Sequence, residues 1–445
     1  MASTSRLVRQ AITPIKTFSW LSGRPTRYTA WNPVRLFSVS QSRDMKFVQF
    51  TYAEKPADVR VGYLEGDNVV DLNKVDSSIS PTLLDILRKG QLDKVQKVKS
   101  SNPASTPLSS VKLQAPIHGM DKVLCIGLNY KDHCEEQNLT PPPVPMFFSK
   151  FSSTIIGPSD AVQLRSDVTK FVQSEGLLKS VTRLGANEPI IPFSEVTCKA
   201  PIHGMDKIIC IGMNYKDHCQ EINVKPPEYP MFFSKFSSTI IGPGEAVRIR
   251  NAAECVDWEV ELVVVIGKKA SNVQAREAYD YVFGYTVAQD ISARDWQKNK
   301  NGGQFLLGKS MDTFCPIGPC IATADEVGDP QKLNIRCSVN GVLKQSSNTE
   351  QLVHKIPDAI ERLTSVMTLL PGDIILTGTP GGVGMYRDPP EYLQPGHVVE
   401  SEVEKIGLTV PGPEYLQPGH VVESEVEKIG VLTTRVEGFR VCANK

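Results

Sequence analysis

The sequence predicts a mainly β, α+β fold on three observations. From residue 208 on, short apolar segments separated by Gly and Pro predominate; helices are few there, the best at 275–281 and 356–369; and residues 46–72, after the basic amino terminus, alternate apolar with polar. In chain order, residues 46–72 read as a hairpin-like β unit with Gly66-Asp67 at its turn, 82–98 as a helix, and 100–110 as a Ser/Pro/Asn linker. Strands are then expected at 208–212, 256–266, 281–290, 333–339, 373–377, 398–403 and 431–436, with helices at 275–281 and 356–369. This pattern argues for a mixed or antiparallel β architecture closed on itself, with helices at its margin. Four regions follow: 1–44, an amino-terminal address; 45–112, a small β domain; 113–198, the first copy of a duplicated segment and a linker; and 199–445, the domain that carries the chemistry.

At 445 residues with 40% hydrophobic and 22% charged side chains, the chain has the composition of a folded protein. Its longest strongly apolar run, 262–266, falls far short of the ~20 residues a membrane-spanning helix needs, so a soluble protein is expected. Charge is uneven. Residues 1–44 hold seven basic side chains and one acid, Asp44, which leaves 42 bases against 48 acids in the rest. A mature net charge of −6 gives no electrostatic reason to expect nucleic acid or an anionic membrane as a partner. The acid-free, Arg-bearing and Ser/Thr-rich stretch 1–43 fits a transit peptide directing the chain to the mitochondrial matrix, with 35–40 as a processing site. Ten cysteines spread over so long a chain form no disulfide framework and are expected to be reduced; Cys315 and Cys320 lack the second pair that a zinc site needs.

The chain repeats itself twice. Residues 115–163 and 200–248 align without a gap at an offset of 85, with 37 of 49 positions identical, and residues 391–407 recur unchanged as 414–430. Two copies do not make a solenoid, which needs at least three stacked units. A unit with one slot in the fold fills it once, so one copy of each pair is expected to lie at the periphery.

The chemistry lies between residues 214 and 312. Glu259 and Glu261 stand two apart on an otherwise apolar strand and share a face. Two carboxylates so close repel unless a cation sits between them, and the next strand ends in a third acid, Asp290. Three hard oxygen ligands suit Mg²⁺ or Mn²⁺ and leave about three of six octahedral positions for water and a chelating substrate. The alternative is a solvated strand face. His218 and Glu221 have the helical spacing that lets a carboxylate orient an imidazole as general base, or they lie on an exposed turn. Lys309, in a turn of small residues, either holds an oxyanion or points into water. The Gly-rich stretch 377–384 lacks the Lys-Ser/Thr of a phosphate-binding loop and reads as a tight turn near a site.

Together the motifs Gly-x-Asn-Tyr-x-x-His-x-x-Glu, Asp-Trp-Glu-x-Glu, Asp-x-Ser-Ala-Arg-Asp, Gly-Lys-Ser-x-Asp-Thr-Phe, Val-Asn-Gly and Pro-Gly-Asp-Ile-Ile-Leu-Thr-Gly-Thr-Pro resemble the fumarylacetoacetate hydrolase family, in its order, over roughly 46–112 and 199–436. The resemblance implies a β-roll, commonly in homodimers, with a metal-dependent site for 2-oxo and 1,3-dicarbonyl acids. It implies Glu259, Glu261 and Asp290 as metal ligands, His218 and Glu221 as a water-activating dyad, and Lys309 as the oxyanion-stabilising lysine. Arg294, Gln297 and Thr349 match positions that contact substrate. For this branch it points to oxaloacetate tautomerase, with acylpyruvate-type hydrolase or oxaloacetate decarboxylase as the runner-up. An inactive scaffold, its site disrupted by the duplications, is the reading of another class. Of the two dyads, His218 with Glu221 lies 41 residues before Glu259 and His133 with Glu136 lies 126 before it, so the second copy is expected to work.

Overall fold

Alternating residues of 46–71 build the first sheet, and the computed structural model describes the chain at residues 45–158, 160, 199–403 and 431–438. Strands β1 (Lys46–Tyr52), β2 (Lys55–Glu65) and β3 (Asn68–Asp71) form an antiparallel meander, joined by β4 (Thr106–Pro107) and β5 (Val111–Gln114) in the order β4-β3-β2-β1-β5. The expected helix over 82–98 is two helices, Leu83–Arg88 and Leu92–Ser100. Gly90 divides them at φ +62°, where its N–H bonds the Leu87 carbonyl and the Gln91 N–H bonds that of Ile86, the glycine-terminated ending that closes a helix. Part of the expected linker is ordered as β4 and a short 3₁₀ turn, Leu108–Ser110.

The two copies of the first repeat fold alike locally. β6 (Val123–Gly127) pairs with β7 (Met146–Lys150), and β8 (Ile208–Gly212) with β9 (Met231–Lys235), in the same antiparallel register. Their fates differ. β8 and β9 enter a seven-stranded sheet, whereas β6 and β7 stand as a separate pair. Tyr215 is fully buried while its counterpart Tyr130 is 74% exposed, and Ile209 and Ile211 are in the core while Leu124 and Ile126 face solvent. Only one copy can meet the partner strand Ile374–Leu376, so tertiary context decides what near-identical local propensity cannot. We therefore expect Ile209→Ala to lower stability by about 2–5 kcal/mol, as a buried deletion does, and Leu124→Ala to change it by no more than about 0.5 kcal/mol. Denaturant midpoints test this; equal losses would contradict the assignment of the core.

The remaining strands are β10 (Ile240–Ile241), β11 (Ala246–Ile249), β12 (Val256–Asp257), β13 (Val260–Ile266), β14 (Val282–Gln289), β15 (Ser292–Ala293), β16 (Cys315–Thr323), β17 (Asn334–Val339), β18 (Val342–Asn348), β19 (Ile374–Leu376), β20 (Val398–Val403) and β21 (Val431–Gly438). Most of them divide between a mixed seven-stranded sheet, β10-β16-β14-β13-β19-β8-β9, and a five-stranded one, β11-β21-β20-β17-β18, while β12 and β15 pair with each other. β13 is buried along its whole length, with Leu262, Val264 and Ile266 in one core cluster and Val263 and Val265 in another. Of the second repeat, the first copy supplies β20; residues 414–430 lie outside the described residues.

Three further elements differ from expectation. The strand over 256–266 breaks at Trp258 and Glu259, because the Glu259 and Val260 N–H groups bond the side-chain amides of Gln289 and Gln345 at 2.8 and 3.0 Å instead of a neighbouring strand. Ala275–Tyr281 is a 3₁₀ helix that puts only Ala278 into the core. The helix Ile356–Val366 stops short of 369, since Leu369 exchanges both backbone hydrogen bonds with Ala270 at 2.9 Å. Among the described residues no helix is long and apolar enough to cross a membrane.

Candidate metal centre and catalytic dyad

The interruption of the strand at Glu259 shapes the site. Pairing of β13 with β14 sets Val260 opposite Gln289, and the Asp290 N–H continues the ladder to the Glu259 carbonyl at 2.8 Å, so Asp290 lies across from Glu259. Glu259, Glu261 and Asp290 are all buried, and one oxygen from each lies within 4.8 Å of the others. The solvated strand face is excluded for these acids.

Cations are built in around them. Lys309, on the helix Leu306–Lys309, donates to Glu259 Oε2 and Asp290 Oδ2, both at 2.7 Å. Lys235, at the end of β9, donates to Asp290 Oδ1 at 2.6 Å and to the Ile291 carbonyl at 3.1 Å. Arg294 pairs with Glu259 at 2.6 Å and donates to Asp257 Oδ2 at 2.8 Å and to Gln297 Oε1 at 3.0 Å. Burial works to raise the pKa of the Glu259 carboxyl, but Lys309 and Arg294 overcome it and hold the group at about 2. Glu261 has the opposite balance. Burial, and then the charges of Asp290 and Glu259, push its carboxyl well above the usual range, and its one described hydrogen bond comes from the Gly378 N–H at 2.7 Å. The cluster thus holds one carboxyl, Glu261, with no ion pair among the described residues, beside two others presenting hard oxygen donors. A divalent cation among the three fits that donor set and that imbalance.

The dyad lies in the helix Lys216–Glu221. His218 Nδ1 is 2.9 Å from Glu221 Oε2, and the side chains are 11% and 24% exposed. In the first copy the same pair, His133 and Glu136, is 3.5 Å apart and 56% and 74% exposed. Glu221 Oε1 also accepts from the Gly382 N–H at 2.8 Å. The Gly-rich stretch therefore ties the site together: Gly378 binds Glu261, Gly382 binds Glu221, and the Gly384 N–H binds Asp257 at 2.7 Å. Gly378 and Gly382 take φ of +106° and +99°, which L side chains rarely adopt, and a Cβ at Gly382 would overlap the Lys344 carbonyl oxygen.

Of the residues expected to contact substrate, Arg294 and Gln297 join the cluster. Thr349 does not reach it through any described hydrogen bond: its hydroxyl is bonded to the Pro330 carbonyl and the Leu333 N–H at 2.8 and 2.9 Å. Sequence reasoning missed Lys235 and Asp257. Asp257 opens the quoted motif Asp-Trp-Glu-x-Glu, where an ionisable residue amid apolar neighbours was the available signal.

The family model described as fumarylacetoacetate (FAA) hydrolase, C-terminal, matches residues 122–182 and 207–410, more than half of the chain. A human protein named oxaloacetate tautomerase FAHD2B, mitochondrial, is 49% identical over 249 residues, covering 56% of this chain and 79% of the relative. The rat Fahd2a counterpart is 50% identical over the same span, and a Dictyostelium discoideum protein named fumarylacetoacetate hydrolase domain-containing protein 2 homolog is 47% identical over 233 residues, or 50% of this chain and 76% of its own. Among solved structures, 5-carboxymethyl-2-hydroxymuconate delta-isomerase from Mycobacterium smegmatis aligns at 36% identity and a TM-score of 0.46, covering 56% of this chain and 86% of that one. The relatives' mitochondrial names agree with the location expected from the basic amino terminus, a segment outside the described residues. The family match and the identity over most of each relative's length give one conclusion: the chain is an enzyme of the fumarylacetoacetate hydrolase family.

Proposed function

We propose that this chain is an oxaloacetate tautomerase that converts the enol to the keto acid in mitochondria, using one divalent cation, Mg²⁺ or Mn²⁺, held by Glu259, Glu261 and Asp290. The observation that carries the reading is the buried triad of acids, one of them outside any described ion pair, tied by a single loop to an ordered His-Glu dyad. The names of the relatives supply the substrate. A bound cation supplies Lewis-acid stabilisation of an enolate and turns the net charge of the cluster toward a substrate anion.

The chain's own residues do the rest. Glu221 accepts from His218 Nδ1, fixing the tautomer in which Nε2 exchanges a proton with substrate. The enol O–H loses a proton, the carbon-carbon double bond becomes a carbon-oxygen double bond, and the far carbon of the former alkene gains a proton; His218 carries the transfer. Lys309 and Arg294 supply positive charge for the substrate oxyanion and carboxylate, shared with Glu259 and Asp290. The same dyad suits activation of water, which would give carbon-carbon hydrolysis, so the products decide. Enol absorbance and pyruvate release are to be followed together with Mg²⁺ present. Enol loss above the uncatalysed rate with neither pyruvate nor oxalate is expected, and oxalate formed in step with enol loss would make the chain a hydrolase. Pyruvate formed in step with enol loss would make the chain a decarboxylase, and no acceleration would make it an inactive scaffold.

A further inference from the structure

The first copy of the duplicated segment does not hang free. It packs on the second copy through contacts that exchange when the copies are exchanged. Ser149 and Ser234, equivalent at the offset of 85, meet each other at 2.9 Å between hydroxyl oxygens. The Ser238 N–H donates to Asp121 Oδ1 at 3.0 Å, and the Ser153 N–H, its equivalent, donates to Asp206 Oδ1, the equivalent of Asp121, at 3.1 Å. Lys122 Nζ lies 5.3 Å from the Phe236 ring centre, and Lys207 Nζ lies 5.7 Å from that of Phe151. Three kinds of contact, one between like residues and two in reciprocal pairs, are the signature of a two-fold, self-complementary interface. Such interfaces ordinarily join two chains. Here both halves belong to one.

The docked copy also reaches the site's surroundings. The Phe147 N–H donates to Asn301 Oδ1 at 3.0 Å and Asn301 Nδ2 donates back to the Phe147 carbonyl at 3.3 Å. Asn301 is fully buried and opens the loop that leads to the helix carrying Lys309.

We propose that residues 115–157 are a built-in second subunit: within the chain they occupy a two-fold face of residues 200–242 that is shaped to receive a copy of itself, and they brace the loop before Lys309. On this face the homodimer implied by the family resemblance is replaced by an intrachain pairing.

The test is a Ser149→Cys, Ser234→Cys variant of the full chain, made in light and heavy isotope labels, mixed and oxidised. A disulfide joining the two introduced thiols within a covalent monomer is expected, with each linked peptide carrying one label only. Covalent dimers with mixed-label peptides would overturn the proposal, since the face would then pair between chains. Failure to link while both thiols remain open to alkylation would overturn it too, by showing the face uncovered. If the variant does not fold, a lysine-reactive cross-linker on the unmodified isotope mixture gives the same readout: single-label links between 115–157 and 200–242 support the proposal, and mixed-label links or none overturn it.

Discussion

Asp290→Asn is expected to lower the stability of the chain by about 3–5 kcal/mol, the cost of leaving buried charges without their partner. The Asp290 carboxylate is fully buried and accepts from Lys235 at 2.6 Å and from Lys309 at 2.7 Å. With that charge gone, Lys235 faces only neutral acceptors, the asparagine oxygen and the Ile291 carbonyl at 3.1 Å, while Lys309 keeps Glu259. Neither ammonium can reach water without opening the sheet, because both side chains are essentially unexposed. Adding Lys235→Met should recover part of the loss, since it removes the orphaned cation and leaves an apolar chain of similar length. Urea unfolding at constant m-value reads both variants. A loss under about 1 kcal/mol for the single variant would mean that the cluster is solvated and its ion pairs weak, as exposed pairs are.

The dyad gives the largest expected effect on turnover. His218→Ala should slow the reaction by about 10² or more, the range of a lost general acid or base, while His133→Ala should leave it unchanged. The two histidines have the same neighbours in sequence and the same helix beneath them, Lys131–Glu136 and Lys216–Glu221. They differ in surroundings. Glu221 is fixed by the Gly382 N–H, whose loop also binds Glu261, whereas His133 bonds Gln137 at 2.8 Å on an exposed surface. Comparable stability of both variants would separate catalysis from folding. Loss with His133→Ala alone would move the site to the first copy, and loss with neither would remove the dyad from the chemistry.

Much of this was legible in the sequence, for identifiable reasons. The period of two along a strand put Glu259 and Glu261 on one face, and the apolar residues around them implied burial. The helical spacing of His218 and Glu221 needed no tertiary information. Lys235 was not legible, because a lysine closing a Met-Phe-Phe-Ser-Lys strand reads as a solvated end, and its burial comes only from the approach of Asp290. The choice between copies followed from connectivity. What no local signal carried was the packing of one copy on the other, since contacts such as Ser149 with Ser234 arise from the placement of whole hairpins rather than from either sequence. The break at Trp258 and Glu259 was likewise hidden, as it depends on two side-chain amides, Gln289 and Gln345, from distant strands.

The central claim is one catalytic centre per chain, built by the second copy around a single cation. Titration of metal-free full-length chain with Mg²⁺ or Mn²⁺, read by calorimetry and by melting temperature, tests it most directly. One equivalent per chain is predicted, with a stabilisation of about 2.7 kcal/mol at a hundredfold excess over Kd, abolished by Glu261→Gln and untouched by Glu136→Gln. Two equivalents per chain, or a melting temperature that is the same with metal and with chelator, would contradict it.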